Sequence, residues 1–205
     1  MMISFLLFLG WWAMPTLLLS GFTSAYAVLI DRIAAVIDGE IITYSEIQIA
    51  TIFKLSEGDD KEVLEALIDM KLLAREAEKF KITETKEDSE KIQRDFEEIK
   101  RLLTEEKFSG YLREYNLTES DILKRLREKI IAEKFIDFRI NFFVVISDEA
   151  VRAYYADHRE EFSGKTLEDD VYDEIKSRLF KIESDRRLHD YLNQIRKKAK
   201  IEVNL

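Results

Sequence analysis

Residues 166–205 read TLEDDVYDEIKSRLFKIESDRRLHDYLNQIRKKAKIEVNL. Leu167, Val171, Ile175, Leu179, Ile182, Leu188, Leu192, Ile195 and Ala199 recur at the three-and-four spacing of one apolar helix face. The spacing predicts one long helix, spanning roughly 50 Å at about 1.5 Å per residue. Thr166 and Asp169 suit a capping-box start, and Arg196, Lys197, Lys198 and Lys200 lie where the helix dipole favours cations. After Lys200 the period falls to two: Ile201, Val203 and Leu205 alternate with Glu202 and Asn204, the pattern of a half-buried strand. A lone terminal strand needs a partner elsewhere in the chain.

Working back to the start supplies one. Residues 30–43, IDRIAAVIDGEIIT, hold two short apolar runs joined by Asp38-Gly39. Both positions of a two-residue hairpin turn need positive φ, and Asp-Gly meets that need. Thr43, three residues before Glu46, then opens a helix through about Lys54. After the break at 56–59, Asp60 is expected to cap a helix with a wide stripe from Leu64 to Phe80. The expected fold class is mostly α, with a small antiparallel sheet made by the N-terminal hairpin and the C-terminal strand.

Between Thr83 and Asn116 the apolar positions thin to Ile92, Phe96, Ile99, Leu102 and Leu103, then Phe108, Tyr111, Leu112 and Tyr115. So sparse a stripe suggests helices that project as a solvated arm or are mobile. Thr118 with Asp121 caps the next helix, which carries Ile122, Leu126, Ile130, Ile131, Phe135 and Phe138. Residues 141–146, NFFVVI, read as a strand or extended link, and Ser147 caps a further helix.

The chain opens with an uncharged apolar segment, residues 1–27, ending in Ala25-Tyr26-Ala27. That ending suits signal peptidase, so the segment reads as a cleaved export signal and the site of action as the periplasm. The alternative is a retained N-terminal anchor, the one route by which a membrane would be a partner. The 32 basic and 41 acidic residues give a net charge of −9, which argues against nucleic acid as a partner. With no cysteine there is neither a disulfide framework nor a thiolate metal site.

Catalytic chemistry has little to stand on. The only histidines, His158 and His189, lie among charged helix residues, without an H-E-x-x-H or nucleophile-elbow pattern. The acidic runs 57–60 and 168–170 lack calcium-loop spacing and sit at helix starts, where carboxylates cap. No cofactor is expected. Adjacent aromatics carry more information. Phe142 and Phe143 cannot both point into a core from one strand, nor can Tyr154 and Tyr155 share one helix face. With Phe96, Phe108, Tyr111 and Tyr115 of the arm, Phe142 and Phe143 are the candidate surface for an extended, aromatic-rich ligand.

Three stretches carry a family resemblance in order: DRIAAVIDGEIITYSEI (31–47); LTESDILKRLREKIIAEKFIDFRI (117–140) followed by VISDEAVRAYYADHREEF (145–162); and YLNQIRKKAKIEV (191–203). Together they resemble the chaperone module of the SurA, PpiD and PrsA class of extracytoplasmic foldases, most of all the periplasmic SurA type. The resemblance implies one module split into an N-terminal part, 28–162, and a C-terminal helix and strand, 166–205. In that family parvulin-type prolyl isomerase domains are inserted between the halves; here only Ser163-Gly164-Lys165 joins them. The implied function is an ATP-independent holdase for unfolded polypeptides, with outer-membrane protein precursors as clients and no isomerase activity. A membrane-tethered periplasmic adaptor is the alternative, and a domain-swapped homodimer stays open as an assembly.

Overall fold

A computed structural model describes residues 31–162 and 164–205, and Asp31–Leu205 form one unit. The expected signal segment and its cleavage site fall within residues 1–30, outside the described residues. Strands β1 (Ile33–Ile37) and β2 (Glu40–Thr43) form the hairpin, with Asp38 at φ 49° and Gly39 at φ 90° in the turn. Strand β3 (Ile201–Val203) pairs antiparallel with β1, Ile37 opposite Ile201 and Ala35 opposite Val203. The sheet order is therefore β2-β1-β3, and the first and last described segments close on each other. Asp38 and Lys200 fasten the junction twice. The Asp38 amide donates to the Lys200 carbonyl at 2.9 Å, and the Lys200 amide donates to Asp38 Oδ1 at 2.7 Å. Ala35, Ile37 and Ile42 are buried, whereas Val203 is 50 % exposed because β3 is an edge strand.

Helix α1 (Tyr44–Ile52) starts with the Thr43–Glu46 capping box and ends before Lys54, whose φ of 55° leaves the helical region. In α2 (Asp60–Lys79) the N-cap is Asp59, one residue before the expected Asp60. Gly58, at φ 117°, turns the chain so that Asp59 Oδ1 accepts from the amides of Lys61 and Glu62, both at 2.9 Å. That frees Asp60 to accept from the Tyr44 hydroxyl at 2.7 Å and from Gln48 at 3.3 Å, which ties α1 to α2.

The arm is not solvated. Helices α3 (Lys86–Leu103) and α4 (Glu105–Glu114) pack on α5 (Glu119–Arg139) and the end of α1, around a core of Phe53, Ile92, Phe96, Ile99, Phe108 and Ile122. Few apolar positions suffice because several are large. Phe108 meets Phe53 and Phe96 edge-on, each at 5.7 Å between ring centres. Charges seal the rim: Lys91 pairs with Glu133 at 2.8 Å, and Lys134 donates to Asp88 and to the Thr83 carbonyl.

Beyond α5, residues Asn141–Phe143 form a 3-10 turn rather than a strand, and the chain is extended at Val144. Helix α6 (Asp148–Asp157) and the first part of α7 (Asp169–Arg196) share a small core of Val151, Phe162, Val171 and Ile175. Tyr154 and Tyr155 are both half-buried against it. Glu168, with no side-chain cap, occupies the N-cap of α7, so the Thr166 capping box is not used. The Lys165 amide donates to the Phe162 carbonyl at 2.8 Å, turning the chain into α7. Helix α7 does not bury one continuous stripe. Its C-terminal Leu188, Leu192 and Ile195 join the core under the sheet, while Phe180 and Ile182 in the middle are 37 % and 54 % exposed. Among the described residues no helix is long and apolar enough to cross a membrane.

Candidate client-binding surface

The six candidate residues do not make one surface. Phe96 and Phe108 are buried in the α3–α4–α5 core, and Tyr111 and Tyr115 are half-buried against it. The arm aromatics serve packing, because each side chain that makes the arm fold is one it cannot offer to solvent. Phe142 and Phe143 are different. They stand 79 % and 54 % exposed, and Val145 beside them is 84 % exposed.

Local hydrogen bonding explains why these three side chains face out. The Phe143 amide donates to the Ile140 carbonyl and the Val144 amide to the Asn141 carbonyl, both at 3.1 Å, which closes the turn. Arg187 of α7 donates to the Phe143 carbonyl at 2.9 Å and holds the turn against the long helix. Ile140 and Val144 point inward as the anchors, so Phe142, Phe143 and Val145 are left on the outer side. Phe142 and Phe143 meet edge to face at 5.2 Å, and a shallow depression between Arg139, Phe143, Arg187, Asp190 and Tyr191 adjoins them. Nearby, the half-exposed Phe138 of α5 and Phe80 at the end of α2 lie 5.7 Å apart, and Phe135 links Phe80 to Tyr191 at the same spacing. Burial, then the adjacent Glu76 carboxylate, pushes the Tyr191 hydroxyl up to about 12, so it stays protonated and donates to Glu76 at 3.1 Å.

A second concave site was not read from the sequence. Between α2, α5 and α7 lies an apolar groove of about 320 Å³ walled by Leu67, Met70 and Leu73, by Ile136, and by Leu188 and Leu192. The walls come from three different helices, so the groove exists only once α2, α5 and α7 have packed together. Small side chains at Ala66 and Ala132 leave the space open. Asp69, Arg125, Lys129 and Glu133 form its rim. Burial raises the Asp69 carboxyl although Arg196 donates to it at 2.6 Å.

No metal-like convergence of three His, Cys, Asp or Glu side chains occurs among the described residues. His158 stacks on the Tyr154 ring at 4.0 Å, and His189 is exposed on α7.

No family model matches the sequence, and no curated protein matches it. Among solved structures the chain is similar to a SurA-like chaperone of Campylobacter jejuni, one of the related pair formed by the virulence factor PEB4 and the periplasmic protein Cj1289. The match covers 84 % of this chain and 99 % of that one, at a TM-score of 0.50 and 14 % identity. The fold resembles that of a SurA-like chaperone. At that identity the likeness is one of architecture.

Proposed function

We propose that this chain is a periplasmic holdase, which binds unfolded polypeptides, outer-membrane protein precursors among them, without nucleotide and without prolyl isomerisation. The observation that carries the reading is the turn at 141–145, where three large apolar side chains stand in solvent beside one another. A monomeric surface seldom leaves such groups adjacent unless something docks on them. The fold likeness to SurA-like chaperones supports the same reading. Contacts of this kind are individually weak, since each must offset the entropy of ordering a client segment. Weak contacts let a client leave, and several of them together hold it by local concentration. The net charge of −9 keeps the loaded complex soluble.

The test is dilution of a urea-unfolded porin into buffer with and without the protein. Light scattering should fall as the protein approaches molar excess, because capture of the unfolded chain competes with aggregation. Scattering unchanged at excess protein contradicts the function. In a proline-peptide assay the rate should stay at background, and measurable catalysis would overturn the non-enzymatic part.

A further inference from the structure

Three of the four charged side chains on the rim of the α2–α5–α7 groove have ion-pair partners. Asp69 shares Arg196 with Glu65, at 2.6 and 2.7 Å, Glu133 takes Lys91 at 2.8 Å, and Arg125 faces Glu46 at 3.5 Å. Lys129, half-buried on the α5 wall, has no ion-pair or hydrogen-bond partner among the described residues. It sits one turn before Ala132 and Glu133 and two turns before Ile136, on the helix face that lines the groove. One uncommitted cation therefore stands over an apolar space of about 320 Å³. That volume suits one large side chain and part of its neighbour.

Resting on the holdase reading, we propose that the groove takes a single large apolar side chain of an extended polypeptide and that Lys129 pairs with a carboxylate next to it in the client. The chemistry recognised is an aromatic or long aliphatic residue adjoining Asp or Glu. Charge complementarity fixes the direction: the carboxylate lies toward α5, because the acid on the α2 wall, Asp69, already holds Arg196. Lys129 pays little to remain unpaired in the free protein since it keeps contact with water, and it gains a charge-assisted hydrogen bond once a client excludes that water.

The experiment uses the full chain and dansyl-labelled, C-amidated peptides Gly-Ser-Gly-Phe-X-Ser-Gly-Ser, with Glu, Gln or Lys at X, followed by fluorescence anisotropy. The Glu peptide should bind roughly three- to tenfold tighter than the Gln peptide, the range for a half-exposed charge pair, and the Lys peptide more weakly still. Lys129→Glu should reverse the order. Ala66→Trp, at an exposed position on the groove lip, should weaken all three peptides while the melting temperature stays unchanged. Equal affinity for the three peptides, or an order that Lys129→Glu does not move, overturns the proposal. So does binding of dodecanoate that Lys129→Glu abolishes while no peptide binds, which assigns the groove to an amphiphile. The porin assay separates the two readings. Equal peptide affinities with suppressed scattering sink the groove and leave the holdase; discriminated peptides with unsuppressed scattering do the reverse.

Discussion

At the residue scale, helix starts are fixed by single side chains that satisfy the first free amides. Thr43, Thr118 and Ser147 cap where the sequence places them, because a hydroxyl or a paired acid at N3 needs only local geometry. Asp59 displaces Asp60 because Gly58 can adopt φ 117°, which no spacing rule reports. A Cβ at position 58 would collide with Glu62 Oε2 and lie 2.8 Å from Glu62 Cβ, so the helix start depends on the glycine. Gly58→Ala should lower unfolding stability by about 1–2 kcal/mol, from positive-φ strain and a disturbed capping box, as measured by urea denaturation. Asp88 gives the pH dependence. The hydrogen-bonded Lys134 ammonium holds it down at about 2, below its ordinary carboxylate value. A depressed folded-state value contributes stability above the unfolded one and loses it as pH falls from about 4 toward 2. Asp88→Asn should therefore be less stable than the native chain at pH 7, with the gap in melting temperature closing as pH approaches 2. A gap that stays constant across that range would show that the Asp88–Lys134 contact carries no linked proton.

At the element scale, periodicity located the helices, while burial depended on what each helix meets. The alternation at 201–205 correctly reports a strand, yet Val203 is half exposed, because an edge strand is covered on one side only. The thin stripe of α3 and α4 suggested an exposed arm, but large aromatics at 53, 96 and 108 close a core that a count of apolar positions underestimates. The hairpin depends on β3 from the far end of the chain. Ending the chain after Ala199 removes the bonds from Asp38 to Lys200 and from Asn204 to Ala34. Hydrogen exchange at Val36 and Asp38 should then accelerate, and the melting temperature should fall. Identical melting of the truncated and full chains would mean that the pairing contributes nothing to the module.

At the scale of the whole molecule, three small cores are strung along α5 and α7, and the exposed apolar turn lies where the second and third helical groups join. Phe142 and Phe143 could be singled out in sequence because two adjacent aromatics cannot both point into a core from one strand, although the 3-10 turn in fact leaves both outside. The groove beside Lys129 could not, since its walls come from residues 67, 136 and 192 and exist only after assembly. Replacing Phe142, Phe143 and Val145 together by Ser should change folding stability by no more than about 0.5 kcal/mol, as exposed side chains usually do, while weakening suppression of porin aggregation. The most direct measurement is photo-crosslinking with benzoylphenylalanine placed in turn at Phe142, at Val145 and at the exposed Glu98 of α3, in the presence of an unfolded porin. Crosslinks to the porin at 142 and 145, with none at 98, are the predicted result. Crosslinks absent from all three positions, or equally strong at 98, would contradict binding of unfolded chains at the turn.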